Sequence, residues 1–390
     1  LKAKLNFTWI AVVFGADGLE DAVVELFELI SRYRDRSLAE KLSGYINELC
    51  DDDRYLIMHV CGTHEWTITH FGIRSLIPKV DLRAGPGCPV CVASPVKIQV
   101  AVELSMKDNV VVTTFGDMFK VRGLGMSLME AKSRGGKVKV VYSIWDAVNL
   151  ARKYSDKEIV HFAIGFETTA PSSAAVLLKN PPKNFSIICT HLLIPPVMEY
   201  LLRLGEIKID GFICPGHVST IIGVKPYRPI ARKYCAPMVV AGFEPIDVLI
   251  GVAMLIQMIK ERRFDVVNEY VRVVKYEGNV RAQRMMYEVF DICDADWRGI
   301  GRVPNSGLKL KSEFERFDAE LKFGIEVDES YEMPPGCRCG EVLRGLIMPW
   351  ECPLFARACN PLNPVGPCMV SSEGACSIAY KHSRRRIAVK

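Results

Sequence analysis

The chain has 390 residues, 49% hydrophobic and 24% charged, enough to bury a full core without disulfide staples. Its formal net charge is +5, but Lys381, Arg384, Arg385, Arg386 and Lys390 form a basic end free of acids, and the rest of the chain balances. That distribution excludes the footprint of a nucleic-acid binder, and no apolar run is long enough to span a membrane.

Residues 1–34 open on Leu1, with Lys2, Lys4 and a run from Phe7 to Phe14 that only faintly resembles a signal peptide. The run is short, and a thiol-rich protein that binds metal suits a reducing cytoplasm. This stretch is read as an extension without an assigned role. Strands are expected at Tyr55–Val60, Val80–Ala84, Val110–Thr114 and Lys137–Tyr142, then at Glu158–Ile164, Phe185–Thr190, Ile209–Cys214 and Met238–Ala241. Most are Val/Ile-rich and end near Gly, Pro or a polar turn. Helical patterns fall between them, with Ser94-Pro95 and Thr169-Ala170-Pro171 as helix starts. Such alternation implies parallel sheets with crossovers. Two sets of four strands imply an α/β protein with two similar Rossmann-like domains, over 35–150 and 151–245. Helical periodicity then runs through Asp247–Arg262, Phe264–Val274 and Val280–Val289. From Glu332 the chain is rich in Pro, Gly and Cys and poor in apolar residues. Residues 246–380 are therefore expected to form a helical, cysteine-rich domain that a metal cluster would stabilise, and 381–390 a solvated tail.

Cys61, Cys88, Asp117, Glu167, His191, His217 and Glu244 each follow an expected strand. Ligands of open parallel sheets bind at the carboxyl ends of strands, so these residues are expected to converge on a cleft. In Cys61-Gly62-Thr63-His64-Glu65 the thiol falls at a helix N-terminus, where the dipole favours a thiolate. His64 could serve as a second ligand, a proton carrier or a partner of the thiolate; Glu65 could orient it or accept a proton. An isolated Cys61 reads equally well as a buried structural thiol, but a His and a Glu within four residues shift the weight to function. Cys88-Pro89-Val90-Cys91 has the spacing of a reversible disulfide, or of half a zinc site; with no second C-x-x-C in the chain, a redox dithiol is the reading. Thr168, Thr169 and Ser219 read as helix caps, whereas Glu167 and His217 are harder to explain that way.

The C-terminal segment offers Cys337, Cys339, Cys352, Cys359, Cys368 and Cys376. Their wide, irregular spacing favours an iron–sulfur cluster over zinc. Cys50, Cys189, Cys214, Cys235 and Cys293 lie outside these motifs, mostly in apolar stretches, and read as small core residues.

CGTHE, GPGCPVC, GFETT, PGHVS and the terminal cysteine series resemble the HypD family of [NiFe]-hydrogenase maturation proteins, from about Asp35 to Cys376. The resemblance implies two α/β domains and a cysteine-rich part holding a [4Fe-4S] cluster. The family's C-x14-C-x6-C-x16-C cluster pattern falls on Cys337, Cys352, Cys359 and Cys376, leaving Cys339 and Cys368 over. Its iron-site cysteine falls on Cys61 and its redox pair on Cys88 and Cys91. His64, Glu65, Glu167 and His217 match positions within family motifs. The resemblance further implies a scaffold that acts with HypC to assemble Fe(CN)2(CO) for the hydrogenase large subunit, with cyanide brought by HypE as a protein thiocyanate. A cluster-linked protein disulfide oxidoreductase, which would not need CGTHE, and a zinc-stabilised scaffold without redox chemistry are the other readings.

Overall fold

The computed structural model describes residues 31–325, 327 and 333–383; most of the 1–34 extension and of the 381–390 tail lies outside them. The chain is α/β, with two parallel sheets. The first runs in the order β2 (Val80–Ala84), β1 (Tyr55–His59), β7 (Gly211–Pro215), β8 (Met238–Ala241), β9 (Val266–Asn268). The second runs β4 (Val138–Val140), β3 (Val110–Thr114), β5 (Glu158–Gly165), β6 (Phe185–His191). Every pairing within them is parallel. The central strands are apolar runs, as sheets covered by helices on both faces require; β7 and β8 are buried along their whole length.

The strands do not group in consecutive sets of four. The chain leaves the first sheet after β2, builds β3 to β6, and returns so that Met58 of β1 pairs with Phe212 of β7. Hydropathy patterns mark where strands lie but not which strands are neighbours, and a long crossover satisfies the same pattern as a short one.

Helix Pro245–Lys260 begins at Glu244, whose backbone N–H donates to Asp247 Oδ2 at 3.1 Å in a capping-box arrangement, and it is buried along most of its length. Helix Val280–Val289 spans the expected residues. The helix expected over Phe264–Val274 is absent; the segment supplies edge strand β9 and turns. An unexpected antiparallel hairpin, β10 (Phe290–Trp297) and β11 (Gly301–Leu310), follows. It is fastened to the loop after β6 where Leu193 N–H donates to Ser306 O at 2.8 Å. Trp297 stacks on Phe166 (centroids 5.9 Å apart) and donates its indole N–H to Ser306 Oγ at 2.8 Å. The C-terminal segment holds short helices at Cys339–Leu343, Pro367–Val370 and Ala375–His382, the last packed against helix Gly62–His70. Among the described residues no helix is long and apolar enough to cross a membrane.

Candidate functional site

The carboxyl ends of strands from both sheets meet at one cavity of about 400 Å³. Cys61 enters it from β1, Gly165, Phe166, Thr168 and Thr169 from the end of β5, and Pro215, His217 and Val218 from the end of β7; Gly87, Pro89 and Val90 of the C-x-x-C loop, Phe115 and Glu373 also line it, whereas Glu167 does not. The sheets thus bring together Cys61, the C-x-x-C loop and His217, residues far apart in sequence.

Cys61 is extended (φ −157°, ψ 135°) at the N-cap of helix Gly62–His70, and is 9% exposed. Burial pushes its thiol up to about 11, outweighing the Thr63 and His64 N–H groups that favour the thiolate. The helix terminus alone therefore does not ionise this cysteine. Glu373, which also raises it, lies close because Gly62 has no side chain: a Cβ there would meet Glu373 O at 2.5 Å.

His64 and Glu65 leave the same helix in other directions. The buried His64 donates Nε2–H to Gly242 O (2.8 Å) beyond the end of β8, since a carbonyl can only accept. Its Nδ1 is buried with no hydrogen-bond partner, and burial lowers the ring to about 3, so the imidazole is neutral. Glu65 makes no hydrogen bond to His64. It accepts from Thr69 Oγ1 (2.6 Å) and Arg74 Nη2 (2.6 Å) and pairs with His59 Nε2 (2.9 Å). Burial pushes its carboxyl up, but Arg74 and His59 win and hold it at about 2. Glu65 is thus a fixed anion knitting helix Gly62–His70 to β1.

Cys88 and Cys91 form a disulfide, with Cα atoms 5.3 Å apart. Both are buried directly behind the cavity wall, and Ser371 Oγ lies 3.4 Å from Cys88 Sγ. Asp117 holds that turn by accepting from Ser372 N–H (2.8 Å) and Ser372 Oγ (2.7 Å). Glu167, buried, accepts from Ile194 N–H at 3.0 Å through Oε1, and its Oε2 has no partner. Burial raises it to about 8, so it stands as a neutral acid. His217 stacks on Phe243, centroids 3.9 Å apart, at the mouth of the cavity, and burial lowers its ring below the usual imidazole value. His191 is turned away, bonded to Ser173 Oγ at 2.8 Å.

Cys337, Cys339, Cys352, Cys359, Cys368 and Cys376 all line one pocket, closed by Leu354, Phe355 and Met369. Burial and the neighbouring thiols push Cys337 up to about 12, and Cys339 Sγ lies 2.6 Å from Cys368 Sγ. All six of these thiols pack in one apolar cluster or against it with Cys88, Cys91 and Phe166, and helix Pro367–Val370 packs on helix Pro89–Val92. Among the described residues no three His, Cys, Asp or Glu side chains stand ready-made around a metal ion. The donor set nevertheless fits a thiolate-held iron–sulfur group, because six soft sulfurs converge where no oxygen or nitrogen ligand competes. Sequence reasoning missed Glu373, whose only signal is its place three residues before Cys376, and Phe243, which packs between His64 and His217.

Fold and site together define a multi-thiol α/β protein in which a disulfide and a six-cysteine pocket share one core and a buried cysteine lines the cavity beside the disulfide loop. Residues 37–383 match the family model described as "HypD: Hydrogenase formation hypA family". The chain is 49% identical over 356 residues to a putative hydrogenase expression/formation protein of Methanocaldococcus jannaschii, covering 90% of this chain and 98% of the relative. It is 41% identical over 371 residues to the hydrogenase maturation factor HypD of Cupriavidus necator (91% and 97%) and 40% identical over 370 residues to HypD2 of Bradyrhizobium diazoefficiens (91% and 96%). The chain belongs to the HypD family of hydrogenase maturation factors.

Proposed function

We propose that this maturation factor is a redox-active scaffold, acting in the cytoplasm, that with HypC assembles the Fe(CN)2(CO) unit destined for the hydrogenase large subunit, taking cyanide from HypE. The observation that carries this reading is the placement of the Cys88–Cys91 pair immediately behind the loop that forms a wall of the Cys61 cavity. The iron is cargo. Cys61, with a thiolate from HypC, is its ligand, a soft sulfur suited to iron carrying carbon ligands.

Freeing cyanide from a thiocyanate breaks an S–C bond and takes two electrons. The Cys88 and Cys91 thiols supply both by closing their disulfide; of their two protons, one goes to the donor's sulfur and one is released with the cyanide anion. The cavity of about 400 Å³ admits a narrow chain terminus but not a folded surface, which suits a thiocyanate carried on a tail. His217 at the mouth is placed to exchange a proton there, and the neutral Glu167 behind Phe166 holds the β5 loop to Ile194. Cys337, Cys352, Cys359 and Cys376 would hold a [4Fe-4S] cluster. When bound, such a cluster supplies single electrons that restore the dithiol.

Cys88 (4% exposed) and Cys91 (0%) are buried, so the C-x-x-C loop must shift before any substrate sulfur, thiocyanate or disulfide, reaches the pair; what favours the scaffold over a general protein disulfide oxidoreductase is Cys61 on the same cavity, which such an oxidoreductase does not need. Infrared spectroscopy of the chain purified anaerobically after co-expression with HypC and the cyanide pathway tests the proposal. Metal-bound cyanide and carbon monoxide bands that vanish in Cys61→Ala are expected; bands that persist in that variant would sink the assignment of Cys61.

A further inference from the structure

Helix Gly62–His70 starts from Cys61 and ends at His70, and helix Ala375–His382 carries Cys376 near its start and ends at His382. The two helices pack together, and their terminal imidazoles face each other with Nδ1 atoms 3.5 Å apart. That separation is long for an N–H···N hydrogen bond. It is close to the edge of a tetrahedral metal site, where two nitrogens each about 2.0–2.1 Å from the ion lie about 3.4 Å apart. Both rings are held in place. His70 stacks on Trp66 (centroids 4.6 Å, 9° between planes) with Phe71 edge-on at 5.0 Å, and His382 meets Trp66 edge-on at 6.1 Å. Burial, His70 and Lys381 all disfavour protonated His382, leaving the neutral ring that ligates metal.

We propose that His70 and His382 form a two-imidazole chelate for a borderline divalent transition metal ion of the Zn2+ or Ni2+ class, with water in the remaining positions. Bound there, the ion cross-links the far ends of two helices whose near ends carry the thiols Cys61 and Cys376. It fixes the distance between the cavity and the six-cysteine pocket without touching either. Imidazole nitrogen is a favoured donor for both ions, and the exposed position of His70 gives the ion direct entry from solvent.

Equilibrium dialysis of Ni2+ against the full chain, purified anaerobically, tests this with His70→Gln, His382→Gln and the double variant. The thiols are common to all of them, so any difference reports the imidazoles. Each single variant is expected to lose the same molar equivalent of Ni2+, and the double variant no more than either. Ni2+ is also expected to quench tryptophan fluorescence in the wild type, and to quench little in Trp66→Phe although that variant still binds the ion. Full Ni2+ stoichiometry in either single variant overturns the proposal, and so does undiminished quenching in Trp66→Phe. Circular dichroism confirms that the substituted chains are folded; His70 and His382 lie at helix ends, and Trp66 is only half-buried.

Discussion

Gly87 lies against the backbone of Cys61, so closely that a methyl group on Gly87 would overlap Cys61 N and Val60 C. The obstacle is backbone, which cannot swing aside as a side-chain end can. Gly87→Ala is therefore expected to push the Cys88–Cys91 loop off Cys61, at a cost of about 1–3 kcal/mol. Unfolding midpoints under anaerobic reducing conditions measure the cost. Infrared bands of metal-bound cyanide should weaken in the variant although every cysteine is retained; bands at full strength would show that the contact is not needed.

Glu65 offers a stability test. Its folded carboxyl stands at about 2 against 4.5 for a free one, so its contribution is fully present above 4.5 and is lost as pH falls from there toward 2. Glu65→Gln leaves Arg74 and His59 without their anion and should cost about 3 kcal/mol near neutrality. The gap between variant and wild type should close on acidification. A gap independent of pH would mean that the ion pair is not its source.

Glu167 should behave in the opposite sense. Burial raises its folded carboxyl to about 8, so the native state holds a proton that the unfolded state has released above 4.5. Stability from this group is present below 4.5 and is lost as pH rises toward 8. Glu167→Gln keeps an acceptor for Ile194 N–H and cannot ionise. It should flatten the decline in urea midpoint between pH 5 and pH 8; an unchanged slope would assign the decline elsewhere.

The six-cysteine pocket should divide into ligands and others. Cys359→Ser is expected to lose bound iron and sulfide together. Cys368→Ser leaves Cys337, Cys352, Cys359 and Cys376 intact, and should retain both after anaerobic purification. Iron and acid-labile sulfide assays decide it, and loss of iron in both variants would reject the assigned set.

Much of the fold was legible because β-branched runs bounded by turn residues are strong signals: Val110–Thr114 and Met238–Ala241 fall where the pattern puts them. The β10–β11 hairpin was not legible. Asp291, Asp294 and Asp296 on one strand and Pro304 and Gly307 on the other break the apolar alternation, and its stability comes from docking on β6 and Phe166. The convergence of Cys61, the C-x-x-C loop and His217 followed from strand ends alone. The directions of His64 and Glu65 did not, because adjacent positions on a helix point about 100° apart, and only the packing of β8 and Arg74 decides what each meets.

The return of β7 to the side of β1 has a consequence for how the protein is made. During synthesis β1 and β2 leave the ribosome first, but the neighbour that completes them arrives only after β3 to β6 have emerged. The second sheet is built from consecutive elements and can close as a unit, whereas the first must wait with an unpaired edge. Over that interval Cys61, Cys88 and Cys91 lack both the β7 loop and the C-terminal turn that later cover them. The nascent chain passes through a stage in which its reactive sulfurs are open to whatever oxidants and metals the ribosome's surroundings contain.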